Sequence, residues 1–365
     1  MNERDAELRS AAYNNRLNRT KALLKLGANP NATDEDGQTA LHAAVAWFQP
    51  PMSDMIVRWY TEPEVLEALL DAGALLNIRD KEGMTPLLLA CRNANGPAAL
   101  FLLERGADPK ELDRFGWSAL TWQLWKGRWW PRKTRLEGQL LKHGAVLTLW
   151  DALLQGNLPL AEQLVERAPL TPIGPYKTTL LHLAARAGSL RVTESLLRRD
   201  ADVQAADIWN QTVLHFALGG YKALSIPAGS HSWHRFGLQK DRDRLVTLLL
   251  KVGAQLNVRA SDFEFDPTDP SGETPLEWAL GLQNVGLMRL LLKAGADPNQ
   301  KSEYGEPILF DAISTKNAEI VKVLLDAGAD PAVRVSFADR DALSLAKETP
   351  KIERLVRAAL KRRGK

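Results

Sequence analysis

The chain has 365 residues, 45% hydrophobic and 25% charged, with one cysteine and a formal net charge of +3. This is the composition of an ordinary soluble folded protein; it excludes a disulfide framework and gives no charge excess that would by itself imply nucleic acid. No window approaches the ~18 apolar residues of a membrane span, and Met1–Glu7 lacks the apolar stretch of a secretory signal, so the expectation is a soluble, cytoplasmic protein.

In chain order, residues 1–32 read as a capping unit with a charged face. A turn phrase follows, Asp34 to Gly37 to Thr39, and then a short helix carrying His42. The stretch from Trp47 to Pro63 is a first long insertion. Beyond it, Leu69-Leu70-Asp71-Ala72-Gly73-Ala74 ends a second helix. The phrase returns as Asp80–Gly83–Thr85 with Pro86-Leu87, and the helix end as Leu102-Leu103-Glu104-Arg105-Gly106-Ala107. Gly73 to Gly106 is 33 positions, and a fixed period in this range is the mark of a stacked repeat.

Asp113, Gly116 and Ser118 give a close variant of the turn. A second insertion reads from Trp122 to Arg135 and holds four Trp and five basic residues with no acid. Residues 148–171 read as a unit that has lost its turn segment. Thr179-Leu180-Leu181-His182 restores the pattern, and Asp207–Asn210–Thr212 replaces the turn glycine with Asn, the other residue that tolerates positive φ. Insertions at Gly219–Asp241 and Arg259–Pro270 follow. Asp269–Gly272–Thr274-Pro275 and two further helix ends, at 291–296 and 324–329, complete the run before a basic C-terminal capping unit at 333–365.

Each residue type has a physical task in this pattern. Gly supplies the positive φ of the turn, Thr caps the next helix, and Pro suits its first turn. The second helix carries an apolar stripe at helical spacing, and Gly328 or its equivalents close it.

The pattern resembles the ankyrin repeat, over nearly the whole chain. The resemblance implies a single domain over residues 1–365 of about ten units: an all-α solenoid, curved, of helix-turn-helix units with β-turn fingers and long inter-helix insertions. It also implies that His42, His182 and His215 are structural, their imidazoles bonding the backbone of neighbouring fingers.

In such proteins the concave surface is made by finger tips and the exposed side of the first helix. That places Arg114, Phe115, Ile208, Trp209, Glu303 and Tyr304 at finger tips, with Trp117 sharing the face. Arg92, Trp125, Lys126 and Arg186 come from first helices. Phe115, Trp209 and Tyr304 are expected as exposed aromatics, since finger tips are normally polar. Trp129 and Trp130 of the second insertion add to this aromatic, basic partner-binding surface, because Trp and Arg dominate binding hot spots. The competing reading is that the insertion's Trp side chains anchor it to the helices beneath.

Nothing in the sequence points to catalysis. There is no phosphate loop, nucleophile elbow or His-Glu-x-x-His helix. His231-Ser232-Trp233-His234 with Asp241 and Asp243 has poor spacing for a metal site and no Cys. His143 precedes Gly144 at a helix end, and Cys91 reads as a small buried residue. The expectation is therefore no catalytic residue, no cofactor, no metal and no small-molecule substrate. The favoured reading is a monomeric protein-binding scaffold whose partner presents an acidic or mixed surface. Its role would be that of an inhibitor or an immunity protein, with adaptor and secreted effector as alternatives. Membrane-surface association through residues 122–135 is the alternative from another class, and nucleic-acid binding ranks below it because acids at Glu35, Asp36 and Glu82 interrupt any basic track.

Overall fold

The computed structural model describes residues 2–46, 63–126, 136–170, 176–219, 239–261, 272–302, 305–335 and 340–363. The chain forms two compact units, Met1–Asn157 and Leu158–Lys365. The division falls inside the stretch read as lacking a finger.

The first unit is built from helix pairs. They are α1 (Glu3–Tyr13) with α2 (Leu17–Lys25), α3 (Ala40–Ala46) with α4 (Pro63–Asp71), and α5 (Pro86–Arg92) with α6 (Gly96–Glu104). Then come α7 (Ala119–Lys126) with α8 (Leu136–Lys142), and α9 (Leu149–Gln155). First helices stack on first helices, α1 on α3, α3 on α5, α5 on α7 and α7 on α9. Small residues allow this: Ala40, Ala43, Ala44 and Ala90 are all buried at the stacking face.

The second unit continues with α10 (Leu158–Leu164), α11 (Leu180–Arg186), α12 (Leu190–Arg198), α13 (Val213–Ala217) and α14 (Gln239–Lys251). It ends with α15 (Pro275–Gly281), α16 (Val285–Lys293), α17 (Ile308–Ser314) and α18 (Ala318–Asp326), then a two-residue hairpin, β1 (Arg334–Val335) with β2 (Arg340–Asp341), and α19 (Ala342–Ala346) and α20 (Pro350–Arg363). Architecture of this kind is the helical repeat solenoid expected from the pattern.

The repeat phrase works as its residues dictate. Thr85, Thr179 and Thr274 cap α5, α11 and α15 by accepting the N–H of Leu88, His182 and Glu277. The finger Asp accepts two backbone N–H groups two and four residues on. Asp80 Oδ1 takes those of Glu82 at 2.8 Å and Met84 at 2.9 Å, and Asp34, Asp113 and Asp207 repeat the arrangement. Asn210 sits at φ 55°, as its substitution for Gly requires. Adjacent fingers are tied by one backbone bond each, Lys81 N–H to Asp36 O at 2.9 Å and Arg114 N–H to Glu82 O at 3.0 Å.

That stacking explains Gly83, which has φ +74° and approaches the next finger so closely that a Cβ would meet the Arg114 nitrogen at 2.9 Å. Gly83→Ala is expected to cost about 1–3 kcal/mol, through a disfavoured φ and a forced shift of the neighbouring finger. Urea unfolding followed by circular dichroism would measure it, and a loss no larger than that of Gly27→Ala, where φ is positive but a Cβ meets nothing, would remove the stacking argument.

Candidate partner-binding face

The sequence pattern assigns partner contacts to finger tips and first helices, and the structure sorts those residues into four groups. Arg92, Arg114 and Phe115 come together in the first unit. Arg92 Nη1 reaches Glu82 Oε2 at 2.8 Å from α5, and Arg114 Nη2 reaches Glu82 Oε1 at 2.9 Å from the next finger. One carboxylate at a finger tip therefore faces two guanidinium groups. Arg114 lies over the Phe115 ring at 4.7 Å, and Phe115 itself is half-buried. Glu82, the centre of this bridge, was not among the expected contact residues; its place one residue before the turn Gly is the sequence signal that marks a finger tip.

The second group is buried. Trp117 is 0% exposed, Trp125 3% and Trp209 7%, so these rings do not present a surface to a partner. The reason is local. The Trp117 ring lies 4.7 Å from Trp122, 5.0 Å from Trp125 and 5.6 Å from Trp150, in tilted and edge-on contacts that suit aromatic quadrupoles. Residues 122–126, read from sequence as the start of an insertion, are instead the last turns of α7, which carries Trp122 and Trp125 into this cluster. Trp209 is covered differently, stacked on Tyr176 at 5.3 Å with its carbonyl accepting from Ser261 N–H at 2.7 Å.

Buried carboxylates hold this wall in place. Asp113 is the best example: Oδ1 takes the N–H groups of Phe115 and Trp117, each at 2.9 Å, and Oδ2 takes Trp122 Nε1–H at 2.8 Å. Its carboxyl is held above the ordinary range by burial, against the lowering effect of those bonds. Asp151 accepts from Thr121 Oγ1 at 2.8 Å and closes a capping box with Thr148; burial raises its pKa too. Finger, α7 and α9 are thereby fixed behind the Arg92–Glu82–Arg114 bridge.

The third group lies outside the described residues: Trp129, Trp130, Glu303 and Tyr304, together with the His231–His234 grouping. The same holds for the side chain of Lys126. The fourth group is Arg186 and Ile208, half-buried in the second unit.

The histidines are placed as the resemblance implies. His42 Nδ1 accepts Thr39 N–H at 3.2 Å while Nε2 meets Met84 O at 3.0 Å, and His215 repeats this with Thr212 and Glu273 O. An Nδ1 that accepts a backbone N–H leaves the ring proton on Nε2, which donates to the next repeat. His182 makes the Thr179 contact, and its ring lies against the backbone of Gln211 and Ala205 in the next finger. Burial lowers the pKa of all three, to about 4 for His182 and His215. Cys91 is buried and its thiol pushed up to about 12. Among the described residues no group of three or more His, Cys, Asp or Glu is placed to hold a metal ion, and no helix is long and apolar enough to cross a membrane.

Comparison with known proteins matches this geometry. The family model for ankyrin repeats (3 copies) matches residues 8–113, 55–128 and 238–335, and that for a single ankyrin repeat matches 176–208. The chain is 24% identical over 83% of its length to human transient receptor potential cation channel subfamily A member 1, of which it covers 25%. It is 26% identical over 68% of its length to ankyrin repeat protein nuc-2 of Neurospora crassa, covering 22% of that protein. Mouse B-cell lymphoma 3 protein homolog is 34% identical over 31% of this chain and is covered for 23% of its length. The chain thus spans about a quarter of the length of these three relatives.

Proposed function

The chain belongs to the ankyrin repeat family, and on that premise we propose that it is a non-catalytic scaffold that holds one partner protein through the Arg92–Glu82–Arg114 bridge and Phe115. Ankyrin repeats generally mediate protein–protein interaction. The observation that carries the finer reading is the bridge itself, in which two guanidinium groups share one half-exposed carboxylate. A partner carboxylate can take the second guanidinium, and the Phe115 ring offers apolar area beside it. Arg and aromatic side chains of this kind carry a large share of binding energy when water is excluded around them.

The buried Trp wall supports the reading indirectly. A surface fixed by Asp113 and Asp151 loses little freedom on binding, and a preorganised surface binds more tightly. Arg186 and Ile208 are the corresponding contact candidates of the second unit. The partner is accordingly a protein with an acidic or mixed surface, and charge at this rim sets on-rate as well as affinity. Stoichiometric blocking, as by an inhibitor or immunity protein, needs no more than such complementarity.

The test is capture of a partner from the native cell by the wild type and by an Arg114→Ala, Phe115→Ala variant, followed by calorimetry with the captured protein. The variant is expected to stay folded and to bind at least about 30-fold more weakly, the scale of a hot spot of ~2 kcal/mol. Equal binding by both proteins would refute this face. The membrane-surface alternative draws on the same Trp-rich stretch, but Trp122 and Trp125 are buried and cannot sit at a headgroup.

A further inference from the structure

Away from the fingers, the second helices of the second unit enclose a groove of about 700 Å³ between α12, α14 and α16. No finger or first-helix residue lines it. Its apolar part is made by Leu190, Leu248 and Leu290, each half-buried, one from each helix. Leu248 and Leu290 have a common origin in the sequence. Both open a Leu-Leu-Leu-Lys run, at 248–251 and 290–293, where the equivalent places of earlier repeats hold Ala68, Phe101, Gln139 and Ser195. The inward positions of these helices are already filled by Leu245, Val246 and Leu249 on α14 and by Leu287, Met288 and Leu291 on α16. The extra leucine in each run is therefore surplus to the core.

Charge gives the groove a sign. Arg244, Lys251, Arg289 and Lys293 line it against two acids, Glu194 and Asp243. Arg289 is paired with Glu319 at 3.1 Å. Lys251 and Lys293 have no ion-pair partner among the described residues, and each ends its helix beside its leucine. Gly286, in the first turn of α16, adds no side chain to the groove; a Cβ there would meet Asn284 Oδ1 at 3.4 Å and Asp243 Oδ2 at 4.0 Å, both ordinary contact distances.

We propose that this groove is a second docking site, for an acidic amphipathic helix of a partner protein. Neighbouring packed helices lie roughly 8–10 Å apart, and positions i and i+7 of an α-helix are separated by about 10 Å along its axis. A helix crossing α14 and α16 can thus set two acids seven residues apart against Lys251 and Lys293. The leucines between those acids, at i+3 and i+4, rest on Leu248 and Leu290. Helix-in-groove recognition reads anchors at this spacing. The groove suits a helix better than a lipid surface, since no aromatic side chain lines it. It suits it better than nucleic acid because Leu190, Leu248 and Leu290 offer apolar area and no aromatic side chain on which a base could stack.

The experiment uses the full chain and a fluorescein-labelled peptide of about 15 residues, helical by design, with the acid-x-x-Leu-Leu-x-x-acid pattern. A scrambled peptide of the same composition is the control, and anisotropy is read at fixed ionic strength. The patterned peptide is expected to bind the wild type at least about tenfold more tightly than the scrambled one. Lys251→Gln, Lys293→Gln is expected to weaken it about tenfold, as is Leu248→Ser, Leu290→Ser, with unchanged circular dichroism. Arg114→Ala, Phe115→Ala should leave it unaffected, which separates this site from the finger face. Equal binding of both peptides, indifference to both groove variants, or binding of the chain to anionic phosphatidylserine vesicles in place of the peptide would overturn the proposal.

Discussion

Trp117→Ala is expected to lower the stability of the first unit by about 3–5 kcal/mol, the cost of truncating a buried Trp that the surroundings cannot fill. Trp117 is the hub of its cluster, in ring contact with Trp122, Trp125 and Trp150. Its removal leaves three indoles facing a void and frees the α7 face from the finger behind it. Urea unfolding followed by circular dichroism would show the loss as a lowered midpoint. Phe115→Ala, two residues away but half-buried, should change stability by less than about 1 kcal/mol. The pair of variants separates support from contact: on the proposed reading, Trp117 acts on a partner only through the fold and Phe115 directly. A stable Trp117→Ala protein that had lost its partner would reverse that assignment.

The second large effect concerns pH. Asp207→Asn is expected to make the second unit lose about 2–3 kcal/mol more than the wild type on going from pH 7.5 to pH 4.5. Burial of Asp207 raises its pKa from 3.8 to about 7. The folded state then keeps a proton that the unfolded chain has released, so this contribution is full below about pH 3.8 and is lost as pH rises through about 7. His182 and His215 run the other way. Burial lowers each from 6.5 to about 4, so their contribution is full above about pH 6.5 and is lost as pH falls towards 4. In the wild type the two opposing changes overlap and the stability profile is expected to be shallow. Asp311, raised to about 6 by burial and by Glu306, Glu277 and Glu273, adds to the Asp207 side.

Asn at 207 keeps an oxygen to accept the Trp209 and Gln211 N–H groups and does not titrate. Urea midpoints of both proteins at the two pH values decide the matter. Parallel profiles would mean that Asp207 is ionised in the folded protein across this range, its backbone bonds outweighing its burial.

The repeat pattern made the fold legible because every constraint it carries is local. Thr85 caps its own helix, Asp80 accepts N–H groups two and four residues on, and Asn210 occupies a positive φ that few residues tolerate. Helix ends, fingers and the alternation of first and second helices all follow from interactions within about five residues. The bonds of His42 and His215 to the next repeat are long in sequence but recur with the period, so the resemblance carries them as well.

The surface was not legible in the same way. Nothing within a few residues of Trp117 or Trp209 says whether an indole at a finger points outward, and finger position by itself suggested that it does. Tertiary structure decided otherwise, because α7 and α9 bring Trp122, Trp125 and Trp150 onto the same spot and Tyr176 stacks on Trp209. Glu82 became the centre of a candidate site only when stacked fingers set Arg114 beside it, with Arg92 reaching in from α5. Likewise, Leu248 and Leu290 form a groove only once α14 and α16 pack as neighbours. Local bonding fixes what each repeat is; burial and charge pairing depend on which repeats stand side by side, and a single repeat's residues do not contain that information.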